Sequence, residues 1–445
     1  MVVDKGDGKA RRESGGGLTR RRFMASTLAA GLTAGAVPAL LSACGGGGQP
    51  ADQASKSSNG PAHLRFAIWD PIQQPAMQKL IDTFQTAHPK WTVSLEVTPW
   101  DSFWTKLETE ATGKTMPDLM WMGFSEYEDY ANAGLLLPQS DYIRRDKVNL
   151  SDWPKQSVEG FTYKGKIWGL PKDFDNIGLW YNKRIFDQAG IKYPDETWDW
   201  TTLRQVAKRL TGNKVWGIAA QQWEGNYRPT ILQNKGNIWD GKRSGFGTKA
   251  DIEAIEYLTG FIFQDHSSPT AAEQASTDAD TMFESGRIAM IYEGCWETAD
   301  FAKSSVGDVI DTAVLPRGKV RSNETNSLSV MIAKNTKSPE AAWQFAKLVT
   351  GEAGSQAQGT GGAVIPAYKG GADLFMKAYP KYNMKVYLDQ MDYAKVTKIR
   401  GHSTAVSNAE DKYLTPVWAG QQSASSACKQ LATNIEQIMA GKQGG

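Results

Sequence analysis

From residue 64 onward, short apolar-rich runs alternate with stretches of helical period, and no other feature limits the possible folds of this chain as tightly. Leu64-Arg65-Phe66-Ala67-Ile68-Trp69 reads as a strand, stopped by Asp70-Pro71. Residues 75–87 carry Met77, Leu80, Ile81 and Phe84 on one helical face, and His88-Pro89 ends them. Val93-Ser94-Leu95-Glu96-Val97 alternates as a half-buried strand. Asp101 is placed to cap a helix running through Leu107 toward Gly113, and Met116-Pro117 leads into an apolar strand through Met122. Strand and helix at such short spacing predict an α/β fold, a sheet with helices on both faces. At ~100–200 residues per domain, 445 residues make two or three domains with ample core.

Later segments repeat the pattern. Residues 187–190 end a short helix, and Thr197 is expected to cap another through Leu203, Val206, Ala207 and Leu210. Residues 252–263 are helical by period, and Arg287-Ile288-Ala289-Met290-Ile291-Tyr292 reads as a buried strand reached through Gly286. Ala313-Val314-Leu315-Pro316 is a short strand, 341–348 a helix and 427–439 a final amphipathic helix. No internal repeat of fixed period is present.

Charge is segregated at the N-terminus. The net charge is +2, yet the first 43 residues hold seven basic side chains against three acidic ones, leaving 43 basic and 45 acidic groups on residues 44–445. Residues 1–43 read as a targeting leader: a basic region, then a weakly apolar run from Phe23 to Leu41 rich in Ala and Gly. Thr19-Arg20-Arg21-Arg22-Phe23-Met24 resembles the twin-arginine export signal, with Arg20 and Arg21 as its paired arginines and Ala25 where a Lys is usual. Leu41-Ser42-Ala43-Cys44 resembles a bacterial lipobox, which implies that Cys44 is acylated and becomes the mature N-terminus. Two acyl chains hold a protein firmly to a membrane. The alternative is an ordinary secretory leader with an incidental Cys. Residues 44–61, rich in Gly, Ser, Gln, Asn and Asp, form a flexible tether.

What the rest excludes is equally useful. A mature net charge of −2 gives no basic face for nucleic acid. His63, His88, His266 and His402 are scattered, so no metal site and no catalytic histidine arrangement can be argued. Cys295 and Cys428 carry no spacing signature and are read as unpaired thiols. No second apolar stretch is long enough to span a bilayer. The 16 Trp, beside 15 Tyr and 15 Phe, stand out, because Trp is ordinarily scarcer than either.

Five segments, in order, resemble the extracellular solute-binding proteins of carbohydrate ABC importers. They are Ile81-Asp82-Thr83-Phe84 with His88-Pro89 and Val93; Gly113 with Pro117-Asp118-Leu119, Ala133-Gly134-Leu135-Leu136 and Pro138; and Gly165-Lys166-Ile167-Trp168-Gly169-Leu170-Pro171 leading to Tyr181-Asn182-Lys183, with Asp187, Ala189-Gly190, Pro194 and Thr197-Trp198 after it. Met282-Phe283-Glu284-Ser285-Gly286-Arg287-Ile288-Ala289-Met290 with Gly294-Cys295-Trp296 follows, then Ala341-Ala342-Trp343-Gln344-Phe345 with Gly362 and Pro366. The resemblance implies a periplasmic-binding-protein-like fold of class II, two lobes joined by a three-segment hinge. Lobe one is expected over 62–172 and 315–362, lobe two over 176–310 and 367–445, with hinge segments near 171–176, 311–316 and 359–366. It also implies a monomer, anchored by lipid outside the cytoplasmic membrane or in the periplasm, that needs no cofactor, binds a carbohydrate between its lobes and hands it to permease subunits.

A sugar presents apolar C–H faces and a rim of hydroxyls, so rings stack on it while carboxylates and amides hold its hydroxyls. Trp296, in a glycine-punctuated turn after a buried strand, is the leading stacking candidate. Asp175 falls on the family's hinge carboxylate when counted back from Tyr181, and Asp173 lies beside it. Turn formation is the plainer reading of both. Trp69, Asp70 and Gln74 stand at the first strand end; Trp121 and Glu126 at the third; Trp223 and Tyr227 in a polar–aromatic stretch of the second lobe. No catalytic residue is assigned. A secreted glycoside hydrolase needs two carboxylates across a glycosidic bond, which Asp173 and Asp175 in one short stretch do not easily supply. A binder of peptides, polyamines or metal chelates remains the other alternative, disfavoured by few His and Cys and many Trp. Replacing Cys44 by Ala is expected to release the protein from membranes into the medium or periplasm; unchanged retention in a fractionation assay contradicts the lipid anchor.

Overall fold

The computed structural model describes residues 60–397 and 403–441. The leader with Arg20 and Arg21, the lipidation candidate Cys44 and all but the last two tether residues lie outside them. Twelve strands order the described chain: β1 Ala62–Ile68, β2 Trp91–Val97, β3 Leu119–Gly123, β4 Thr162–Tyr163, β5 Lys166–Ile167, β6 Asp173–Asn182, β7 Met290–Gly294, β8 Ile310–Ala313, β9 Asn323–Asn326, β10 Leu328–Ile332, β11 Ile365–Pro366 and β12 Ala394–Lys395. The first sheet runs β10-β3-β1-β2, with β1 parallel to β2 and β3, and β10 antiparallel to β3. The second sheet is built around β6, which pairs with β11, β9, β7 and β8 in turn along its length. β4 and β5 form a separate hairpin.

The first βαβ unit follows from its sequence. Met77, Leu80, Ile81 and Phe84 bury one face of the helix Gln74–Ala87 against the sheet, and β2 returns parallel to β1. Alternation along β6 separates two cores. Ile177, Leu179 and Tyr181 join a core shared with the helices Trp200–Leu210, Lys249–Phe263, Ser403–Trp418 and Ala424–Met439. Phe174 and Trp180, on the opposite face, join the core that also holds the first sheet, Tyr382 and Tyr387.

Several local expectations shift. The helix expected to be capped by Asp101 begins at Trp100 with Pro99 at its N-cap, where the fixed proline φ suits the turn into a helix. Asp199, not Thr197, caps the helix Trp200–Leu210 by accepting from the Thr202 amide; the Thr197 hydroxyl is spent on Asp195. The buried strand starts at Met290 rather than Arg287, because Ile288 makes only an isolated bridge to Trp216. β8 ends at Ala313, and the Leu315 amide bonds the Gln390 side chain instead of a strand.

The chain passes between the sheets at three places, and two differ from expectation. The first is at Lys172–Asn176, entering β6. Residues 311–316 stay with the second sheet, since β8 pairs with β6 and Val320 donates its amide to the Gln233 carbonyl. The chain crosses back only between β9, which pairs with β6, and β10, which pairs with β3. At the third passage β11 pairs with Asp173 and Phe174, but the next helix, Gly371–Ala378, packs against Glu352–Thr360, with Gly371 and Gly359 at the contact. Return to the second sheet comes at Tyr382, whose hydroxyl donates to the Gly307 carbonyl at 2.7 Å. Cys295 and Cys428 are buried free thiols, and burial pushes both thiol pKa values up.

A buried ion pair seats the start of β6. Lys172 Nζ lies 2.5 Å from Asp173 Oδ2, donates to Gln73 Oε1 and Gln358 Oε1 at 2.9 and 3.0 Å, and sits 4.3 Å from the Trp121 ring centroid. The Leu328 amide donates to the other Asp173 oxygen at 2.9 Å. Removing the cation alone strands a buried carboxylate, so Lys172→Met is expected to lower the free energy of unfolding by about 3–5 kcal/mol in denaturant titration. A loss below about 1 kcal/mol contradicts this role.

Candidate ligand-binding cleft

Between the two sheets lies a solvent-open cavity bounded by the loop after β3, the start of β6, β9, the turn after β7, the N-terminus of the helix Glu224–Gln233 and the segment after β12. Two indoles wall one side. Trp223 precedes the helix and Trp296 sits in the 3-10 turn Cys295–Glu297, their ring centroids 6.2 Å apart and nearly perpendicular. Each ring folds over a glycine. A Cβ on Gly225 would lie 2.1 Å from the Trp223 ring, and one on Gly294 would lie 2.2 Å from the Trp296 ring. Only a residue without a side chain lets each indole lie there.

Polar groups face the indoles. Asp175 and Asn176 come from β6, Ser125 from the loop after β3, Glu224 and Arg228 from the helix, Glu324, Thr325 and Asn326 from β9, and Thr397 from beyond β12. The β9 side chains are fixed by the register: Asp175 lies opposite Asn326, the Thr325 hydroxyl donates to the Asp175 carbonyl at 2.8 Å, and Asn323 donates to the Ile177 carbonyl at 2.8 Å. Beneath the cavity Arg228 donates to Glu410 at 2.8 Å and reaches Glu324 at 3.4 Å, while the Tyr227 hydroxyl donates to Glu410 at 2.7 Å. Burial, which alone would lower the Arg228 pKa, is outweighed by the attraction of Glu410 and Glu324, and the value is raised. Burial likewise pushes the Asp411 carboxyl up to about 6, against the Gln222 hydrogen bond that lowers it. Among the described residues no group of His, Cys, Asp and Glu is arranged to hold a metal ion.

The structure brings together three of the ten ligand-site candidates. Trp296, Asp175 and Trp223 line the cavity. Trp69 is instead the centre of an aromatic cluster, with Trp100, Phe103 and Trp121 edge-on at 5.0, 5.1 and 5.4 Å. Trp121 is fully buried, so its ring meets Lys172 rather than solvent. Asp70 is turned back to cap its own 3-10 turn, accepting from the Ile72 amide and the Gln73 side chain, and Gln74 is exposed on the following helix. Asp173 is committed to Lys172. Glu126 accepts from the Gly123 amide at 3.1 Å, and Tyr227 is buried against Glu410. Arg228, Glu324 and Glu410 escaped the sequence reading. The one trace of the first is its place in the turn after Trp223 and Tyr227, at i+5 and i+1.

The glycine–indole contacts give a direct test. Gly294→Ala is expected to displace the Trp296 ring and change the near-ultraviolet circular dichroism from the Trp223–Trp296 pair. The same substitution in a Trp296→Phe background should add little to the change Trp296→Phe makes alone. An equal spectral change in both backgrounds refutes the contact.

Residues 70–356 match the family of bacterial extracellular solute-binding proteins. A binding protein of Brucella abortus is 24% identical over 308 residues, covering 65% of this chain and 72% of that one. The lactose-binding protein of Rhizobium radiobacter is 27% identical over 243 residues, covering 52% and 55%. Among solved structures, an ABC substrate-binding protein from Listeria monocytogenes in complex with cycloalternan superposes with a TM-score of 0.81 at 23% identity, covering 85% of this chain and 99% of that one. The strand order, the class II arrangement around β6 and the match over most of the chain agree: this chain belongs to the bacterial extracellular solute-binding protein family.

Proposed function

We propose that the chain is the substrate-binding lipoprotein of an ABC importer, and that it captures a sugar or oligosaccharide in the cleft between its two lobes. The observation that carries this reading is the pairing of two half-buried indoles with a carboxylate, arginine and amide rim in one cavity. Rings cover the apolar faces of a sugar at small entropic cost, and the charged rim holds its hydroxyls. The names of the Rhizobium relative and of the Listeria complex, one a lactose binder and the other holding cycloalternan, support a carbohydrate. The work is binding and delivery, without catalysis.

Lobe one comprises the first sheet with the helices Gln74–Ala87, Pro339–Thr350, Glu352–Thr360 and Gly371–Ala378; lobe two comprises the second sheet beyond Asn176 with the helices packed on it. The hinge consists of Lys172–Asn176, the β9–β10 junction and the stretch after β11. Closure over ligand changes the outer shape that a permease meets, so occupancy is transmitted as conformation. Export through a twin-arginine leader and anchoring at Cys44 place the monomer outside the cytoplasmic membrane. Among the described residues no helix is long and apolar enough to cross a membrane.

A panel of mono- to tetrasaccharides, including lactose and maltose, tests the reading by thermal shift and tryptophan fluorescence. A cognate sugar at ~100 times its dissociation constant is expected to add about 2.7 kcal/mol of stability. Trp296→Ala should weaken that sugar at least tenfold, roughly 1.4 kcal/mol. Absence of any shift across the panel, together with a response to a peptide or polyamine, overturns the sugar assignment.

A further inference from the structure

Arg228 stands between two acids. Its Nη2 donates to Glu410 Oε2 at 2.8 Å, and Glu410 takes a second donor, the Tyr227 hydroxyl, at 2.7 Å. Glu324 receives the longer guanidinium contact, from Nη1 at 3.4 Å, and a second donor in the Thr397 hydroxyl. One guanidinium therefore serves two carboxyl groups in a largely dehydrated cluster, with side-chain exposures of 11% for Arg228, 2% for Glu410 and 14% for Glu324. Two neighbouring carboxylates sharing one cation hold a proton more tightly than either does in water, and the proton goes to the acid with the longer contact to the cation. That acid is Glu324.

Its two oxygens differ. Oε1 accepts from both Arg228 and the Thr397 hydroxyl. Oε2 has no hydrogen-bond partner among the described residues, and Glu324 is one of the residues that line the cavity. We propose that Glu324 keeps a proton on Oε2 at neutral pH and presents it to the cleft as a hydrogen-bond donor, so that it selects ligands with an acceptor oxygen at that point. The proposal rests on the reading that this cavity holds the ligand. A carboxylate there can bond only to hydroxyls and amines, whereas an acid can also donate to oxygens that carry no proton, such as a ring or glycosidic oxygen or a carbonyl.

The charged and titratable surroundings agree in direction. Burial is the largest influence and pushes the Glu324 carboxyl up to about 8, with Arg228 opposing and Glu224 and Glu410 adding. Arg228 and Glu224 face it from the helix Glu224–Gln233, Glu410 from the helix Ser403–Trp418, Thr397 from the segment after β12, and Asp175 on β6 lines the same cavity. A ligand oxygen that accepts the proton's hydrogen bond binds the protonated state, so affinity is full below about pH 8 and falls as pH rises through that value.

Carbon-13 NMR of the glutamate-labelled, ligand-free protein decides the first half, with the Glu324 carboxyl assigned by its loss in Glu324→Gln. A midpoint near pH 8 is expected; titration in the ordinary range of about 4–5 overturns the proposal, whatever the cleft binds. The second half uses the panel sugar that gives the largest thermal shift. Wild-type affinity is expected to be about tenfold weaker at pH 9.0 than at pH 6.5, the factor for one proton lost at about pH 8, and Glu324→Gln should change less than twofold between them. Equal wild-type affinity at both pH values overturns donation to the ligand. If no sugar binds at all, the sugar reading fails, and the carboxyl titration still decides where the proton sits.

Discussion

The rest of the fold is referred to one ten-residue strand and the ion pair at its root. β6 exchanges hydrogen bonds with β11, β9, β7 and β8, so four segments spread over residues 290–366 meet along it. Lys172 and Asp173 seat its first residue among Gln73, Gln358 and the Leu328 amide. Burying two charges is costly, and attraction offsets the cost only when the remaining polar atoms are satisfied. Here the ammonium has three polar partners and the carboxylate accepts from a strand amide. The pair thereby fixes where β6 leaves the first sheet, and with it the point where Asp175 enters the cleft.

From that fixed point the cleft follows by register. Asp175 opposite Asn326 places β9 beside β6, which brings Glu324 into reach of Arg228. β7, pairing with β6 at Ile177–Tyr181, ends in Gly294 and delivers Trp296 to the same cavity. The two indoles lie over glycines, so their faces are positioned by backbone rather than by long flexible side chains. Rings fixed in this way have little rotational freedom to lose. The polar rim is held by contacts among groups distant in sequence, and its electrostatics belong to the cluster rather than to any one member.

Much of this was legible in the sequence, for a physical reason in each case. Periods of 2 and 3.6 mark elements that bury one face, so β1, the helix Gln74–Ala87 and β2 stand out. Trp296 was readable because a glycine turn after an apolar strand delivers a ring to a sheet end. Trp121 was not distinguishable from it: β3 is buried at all five residues, and no periodicity separates a core face from a cleft face there. The second crossing was misplaced because β9 is Asn-Glu-Thr-Asn, a polar run with no apolar signature, whereas Ala313-Val314-Leu315 looked like a strand. Arg228 and Glu410 are 182 residues apart, and only the folded topology joins them.

Hydrogen–deuterium exchange, read by mass spectrometry with and without a bound sugar, addresses the central claim that this cavity is where ligand is captured. Protection is expected in peptides covering 173–178, 223–229, 293–298 and 322–328, the segments that line it. Protection confined instead to the groove between the helices Gln74–Ala87 and Pro339–Thr350, with those four segments unchanged, would contradict it.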